Sequence, residues 1–147
     1  MNLLLHINAD ARRRLAVLGR HSAVTDAARI LADPNTPLVV VCDEDGIAIG
    51  VISRMDIVRL FGRATDADRG TVEGIMTRSF LSFLGEQTLQ FAWNSISSRG
   101  LRCAPLLDDS GRPRGVVHAR DLVRALLDEV NSEELLLRNY VLGVGYR

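Results

Sequence analysis

The chain has 147 residues, 47% of them hydrophobic and 24% charged, the composition of one compact domain or of two small units sharing a core. Its 18 basic residues balance 18 acidic ones, so the excess of cation that a general nucleic-acid binder needs is missing. All 18 bases are Arg, which suits a GC-rich bacterial genome and excludes both Schiff-base chemistry and the phosphate loop ending in Gly-Lys-Ser/Thr.

The run Leu3-Leu4-Leu5 is too short for a secretory core, and no stretch approaches the roughly 18 apolar residues of a membrane span. A cytoplasmic protein without membrane contact is expected. Cys42 and Cys103 form no Cys-x-x-Cys, and each lies in or beside an apolar run, where Cys behaves as a small buried hydrophobe. His6, His21 and His118 stand at no metal-ligand spacing. His-Glu-x-x-His and Gly-x-Ser-x-Gly are both missing, and Gly143-Val144-Gly145 has no helix after it to make a dinucleotide turn. No catalytic activity is expected.

In chain order, residues 1–14 read as a helix start with Asn8 or Asp10 as its cap. Leu15-Ala16-Val17-Leu18 is a short strand. Ser22 is placed to cap a helix carrying Val24, Ala27, Ala28, Ile30 and Leu31 at helical spacing, and Pro34-Asn35 ends it. Leu38 to Cys42 is a short β-rich run suited to a buried strand. Asp43-Glu44-Asp45-Gly46 is a turn, with Gly46 free to take positive φ, and residues 47–52 return as the hairpin partner. Asp56 to Phe61 opens a second helix. A polar linker over residues 62–78 holds one helical turn near Val72 to Met76.

Ser79 to Phe83 then reads as a strand, and Thr88 caps a helix whose face is Leu89, Ala92, Trp93 and Ile96. Gly100 stops that helix. Cys103 to Leu107 and Arg114 to Val117 form a hairpin around Asp108-Asp109-Ser110-Gly111, and Asp121 to Val130 is a long helix. Ser132 is placed to cap a further short helix through Leu135, Leu136, Leu137 and Tyr140.

These elements occur twice. Sliding the sequence by 65 places lays residues 22–61 on 87–126 without a gap and with eight identities in 40. Asp43 and Gly46 fall on Asp108 and Gly111, Gly50-Val51 on Gly115-Val116, and Asp56, Val58 and Arg59 on Asp121, Val123 and Arg124. Chance matches would scatter; these gather around one turn, one strand and one helix start.

A strand-helix-strand-strand-helix unit, duplicated in one short chain, resembles the cystathionine-β-synthase (CBS) domain pair, or Bateman module. The residues carrying the resemblance are Asp43 to Gly46 with Gly50-Val51-Ile52-Ser53-Arg54-Met55-Asp56-Ile57, and Pro105-Leu106-Leu107-Asp108 with Gly111 and Gly115-Val116-Val117-His118-Ala119-Arg120-Asp121-Leu122. Val72 to Arg78 resembles the connector between copies. The implied organisation is an N-terminal extension over 1–14, a first repeat over 15–61, a linker over 62–78, a second repeat over 79–130, and a C-terminal helix and tail over 131–147. The implied fold is α/β, with tandem β-α-β-β-α repeats packed in pseudo-twofold symmetry.

The resemblance further implies a regulatory module that binds an adenosine-containing ligand (AMP, ADP, ATP or S-adenosylmethionine) in the cleft between repeats. Ser53 and Asp56 match the family's Gly-hydrophobic-hydrophobic-Ser/Thr-x-x-Asp motif in full. A carboxylate at a helix start can accept from both ribose hydroxyls, a helix N-terminus suits a phosphate, and Arg54 can fork onto phosphate oxygens. In the second copy Asp121 keeps the ribose position, but His118 replaces Ser/Thr, either donating to a phosphate or filling the site. Arg120 is the cation there. Leu38 and Ala104 are the expected apolar seats for adenine, with Val17 and Phe83 beside them. Family modules pair two chains through helices, for which Ile57, Leu60, Leu122, Val123 and Leu126 are candidates here, alongside core roles within the chain. A homodimer that acts on an unidentified target protein is expected. The competing expectation is a dimerisation or interaction module whose cleft takes no ligand.

Overall fold

The computed structural model describes residues 9–63 and 70–145. The proposed Asn8 cap, His6 and the middle of the linker lie outside the described residues; Asp10 lies inside a helical segment over 9–13 rather than before it. The main elements are β1 (Val17–Gly19), α1 (Val24–Leu31), β2 (Leu38–Cys42), β3 (Ala48–Ser53), α2 (Arg54–Arg63), β4 (Phe83–Leu84), α3 (Leu89–Ser98), β5 (Cys103–Leu107), β6 (Pro113–His118) and α4 (Ala119–Gly145). A 3-10 turn at Val72–Gly74 supplies the helical turn expected in the linker.

Two three-stranded sheets form, in the orders β1-β2-β3 and β4-β5-β6. In each, the first pair is parallel and the second antiparallel. The two hairpins slip register at equivalent places, between Val41 and Cys42 and between Leu106 and Leu107. Each hairpin turn is tied by its leading Asp: Asp43 Oδ1 accepts the Asp45 and Ile47 N–H groups, and Asp108 Oδ1 those of Ser110 and Arg112. Gly46 and Gly111 take positive φ in those turns, at 82° and 91°.

Strand alternation sorts the core into three parts. Val39, Val41 and Ile52 pack with Ala27 and Leu31 of α1, inside the first repeat. Phe83, Ala104, Leu106 and Val117 pack with α3 and α4, inside the second. Leu38, Val40 and Cys42 turn the other way and meet Val116 and Cys103 across the interface between repeats. All five β2 residues are therefore buried, which is why that strand reads as a continuous apolar run. The two hairpin turns also touch: Ala48 N–H donates to the Gly111 carbonyl at 2.9 Å, and Arg112 Nε to the Asp45 carbonyl at 3.2 Å.

The segment leading into each repeat docks on the other one. Met76 side-chain atoms occupy the space beside Gly50, and Ala11 occupies the space beside Gly115. Ala11 and Met76 are themselves 65 residues apart, as are Gly50 and Gly115, so the internal repeat extends to these crossed contacts.

Several local expectations are corrected. Ser22 does not cap α1, whose N-cap is Ala23 and which has no side-chain cap. Its first N–H, from Val24, donates instead to the Gly70 carbonyl at 3.0 Å. Thr88 does cap α3, accepting from the Phe91 N–H at 3.1 Å. No new helix begins at Ser132, because α4 runs unbroken through it. Of the two roles expected for Leu122 only the core one holds: it is fully buried in the second core, with Ala125, while Val123 and Leu127 point outward. The 3.6-residue period separates these two faces.

Candidate functional site

Register brings the first half-site together. Leu38 pairs with Ser53, the last residue of β3, and α2 starts immediately after it. The Asp56 carboxylate reaches back to accept from the Ser53 N–H at 2.8 Å and its hydroxyl at 3.2 Å, while the Asp56 N–H lies 3.4 Å from Ser53 Oγ. This reciprocal pair is a capping box. The Ser-x-x-Asp spacing thus holds a carboxylate beside a helix N-terminus and a hydroxyl, with Leu38 next to them. The carboxylate can accept from a diol, and the helix end favours an anion. Arg59 Nη1 stands 3.8 Å from Asp56 Oδ1.

Arg54 does something that its position in the motif conceals. Its Nε donates to the Leu31 carbonyl at 2.8 Å, and Nη2 to the carbonyls of Asp33 and Thr36 at 2.7 and 2.8 Å. It closes the C-terminal end of α1, so a fork onto phosphate would require breaking these bonds.

The second half-site has the same frame and different contents. Cys103 pairs with His118, and Asp121 follows in the first turn of α4. His118 Nδ1 accepts from the Arg120 N–H at 3.0 Å and takes over the capping place of Ser53. Burial, with Arg120 and Arg14 adding to it, lowers the His118 pKa below its ordinary value and keeps the ring a neutral acceptor. The Arg120 side chain is exposed. Asp121 is only 4% exposed, and both its oxygens accept from Arg14: Oδ2 from Nη1, and Oδ1 from Nη2 at 3.1 Å.

Ala104 is not a seat for adenine in this arrangement. It is 1% exposed inside the second repeat's own core, as is Phe83. Residues one apart on a strand face opposite ways, and the counterpart of Leu38 is Cys103. Val17 lies at the surface. Burial raises the Cys103 thiol pKa to about 11 against the pull of Arg14 and Arg54, and raises that of Cys42, so both are inert thiols. Among the described residues, no group of three His, Cys, Asp or Glu is placed to hold a metal, and no helix is long and apolar enough to cross a membrane.

Arg14 belongs to no motif in the sequence. The signal was present: the 65-residue offset lays Arg14 on Ser79, a large cation opposite a small hydroxyl.

The CBS domain family matches residues 8–63 and again 72–128. An uncharacterized 17.7 kDa protein of Acidianus ambivalens is 29% identical over 83% of this chain and 73% of its own length. An L-aspartate semialdehyde sulfurtransferase of Methanocaldococcus jannaschii is 26% identical over 69% of this chain, which spans 19% of that enzyme. Among solved structures, a CBS-domain containing protein of Agrobacterium tumefaciens is similar with a TM-score of 0.71 and 21% identity, over 85% of this chain and 98% of that one. A CBS protein solved with AMP has a TM-score of 0.69 and 24% identity, over 84% and 96% of the two chains. A CBS domain pair solved with 5′-methylthioadenosine and S-adenosyl-L-methionine also has a TM-score of 0.69, with 22% identity over 84% and 96%. With both copies matched and the fold in agreement, this chain belongs to the CBS domain family and carries the domain twice in tandem.

Proposed function

We propose that the chain is a regulatory module that binds an adenosine-containing ligand (AMP, ADP, ATP or S-adenosylmethionine) at the first half-site, with Asp56 receiving the ribose hydroxyls, Leu38 beside the base, and Ser53 and the α2 N-terminus toward the phosphate or its equivalent. The observation that carries this reading is the Asp56 carboxylate, held at the mouth of α2 by the Ser53 N–H and hydroxyl, with the Arg59 guanidinium 3.8 Å away. CBS structures of similar fold were solved with AMP and with S-adenosyl-L-methionine, and the similarly folded cytosolic domain of a Mg2+ channel was solved with ATP. Binding would be reported to an unidentified target protein.

The test is calorimetric titration with AMP, ATP and S-adenosylmethionine. Asp56→Ala should weaken whichever ligand binds by about 1.5–3 kcal/mol, the worth of hydrogen bonds to a charged group, or roughly 10- to 150-fold. Unchanged affinity refutes the assignment.

The second reading, a homodimerisation module, is favoured by its own observation. Met55, Val58 and Phe61 on α2 and Val123 and Leu127 on α4 are exposed, and Val58 and Val123 are equivalent under the repeat. The two readings are compatible in one molecule.

A further inference from the structure

We propose that Arg14 is a built-in gate on the second half-site: its guanidinium holds Asp121 where a ligand's ribose hydroxyls would go, so that the chain carries one open half-site and one closed by its own N-terminal segment. The inference rests on the nucleotide reading above and adds to it which half-site is available and why.

Three observations meet here. Asp121 is the buried counterpart of Asp56, and both of its oxygens are taken by Arg14. A buried carboxylate needs such a partner, so a ligand can claim it only by replacing the guanidinium. Arg14 is also held in place from behind. Three residues earlier, Ala11 sits so tightly on β6 that a Cβ at Gly115 would lie 2.8 Å from the Ala11 backbone carbon. Opening the site therefore means moving the segment, and not one side chain alone.

The third observation is the asymmetry. The 65-residue offset holds on both sides of Arg14: Ala11 corresponds to Met76 in the crossed contacts, and Ala16 corresponds to Leu81 in the two cores. Arg14 thus corresponds to Ser79, which is exposed and too short to cover a carboxylate as Arg14 does. His118, the other departure from the motif, caps its own helix and need not be the closing group.

The experiment exchanges the two residues and counts bound AMP per chain by calorimetry, with circular dichroism to confirm folding. Wild type should bind one AMP, weakened roughly 10- to 150-fold in Asp56→Ala. Arg14→Ser should bind two, and the double variant Arg14→Ser/Asp121→Asn one again. Ser79→Arg should bind none. A folded Arg14→Ser that still binds one AMP, or a wild type that already binds two, overturns the gate and leaves the nucleotide reading standing. If Arg14→Ser fails to fold, Ser79→Arg decides: retention of its one site overturns the gate, and loss upholds it. Binding that appears only in Arg14→Ser upholds the gate and removes the first half-site. If neither wild type nor Arg14→Ser binds AMP, ATP or S-adenosylmethionine, the nucleotide reading fails and the gate fails with it.

Discussion

Arg54 Nε donates to the carbonyl of Leu31, 23 residues earlier, at 2.8 Å. The equivalent carbonyl in the second repeat, that of Ile96, accepts instead from the Leu101 N–H at 3.0 Å, through a turn in which Gly100 has φ 64°. The second repeat ends its helix with a Schellman-type close. The first has Asn35 where that glycine would stand, and it imports a guanidinium to satisfy the equivalent orphan carbonyl of Leu31, together with those of Asp33 and Thr36. Ala119 occupies the place of Arg54 in the second repeat.

Arg54→Ala is therefore expected to destabilise the fold by about 2 kcal/mol, since hydrogen bonds from a charged donor to three carbonyls are lost but the site is open enough for water to replace some of them. Arg54→Lys should recover only part of this, because an ammonium lacks the planar fork. Urea unfolding of the three proteins measures it. A loss under 0.5 kcal/mol, the ordinary range of a surface substitution, would refute the closing role.

Gly50 and Gly115 are equivalent, yet their tolerance should differ. A Cβ at Gly50 would meet side-chain atoms of Met76 only (Sδ, Cγ and Cβ), whereas a Cβ at Gly115 would meet the Ala11 backbone at 2.8 Å. Gly115→Ala is expected to cost about 1–3 kcal/mol, in the range of overpacking, and Gly50→Ala less. Thermal unfolding of both variants checks the order, and the reverse order would show that the N-terminal segment docks only loosely.

His118 sets a pH dependence of stability. Its folded pKa lies below the ordinary 6.5, through burial first and then the neighbouring arginines, so the unfolded chain binds the proton more readily. The stabilising contribution is complete above pH 6.5 and declines as pH falls from there through the lower folded value. His118→Gln should flatten the unfolding free energy across that window. Asp108, lowered to about 2 mainly by the Ser110 hydroxyl, acts in a separate window below 3.8, where its contribution is lost as pH falls toward 2. An unchanged slope in His118→Gln between pH 7 and 5 would refute the assignment.

If the exposed faces of α2 and α4 pair two chains, Val58→Glu with Val123→Glu should yield a species of 16.2 kDa by light scattering, where wild type gives twice that mass. The two valines are 62% and 38% exposed, so the substitutions should leave the unfolding midpoint of the monomer nearly unchanged. A wild type that is already monomeric at micromolar concentration would refute the pairing.

The duplicated plan was legible in the sequence because each repeat's punctuation is local. Asp43 and Asp108 tie their own turns, Gly46 and Gly111 supply the positive φ, and Thr88 caps the helix that follows it. The pairing of Ser53 with Asp56 is equally local, since a capping box closes over three residues. What only the tertiary structure decided involves groups far apart in the chain. Arg14 reaches Asp121 across 107 residues, and Arg54 reaches back to Leu31, Asp33 and Thr36. The direction in which Ala104 and Cys103 face depends on which sheet lies behind them. A long, flexible cation satisfies whichever carboxylate or carbonyl the packing brings within reach, so its spacing in the sequence carries no record of its partner.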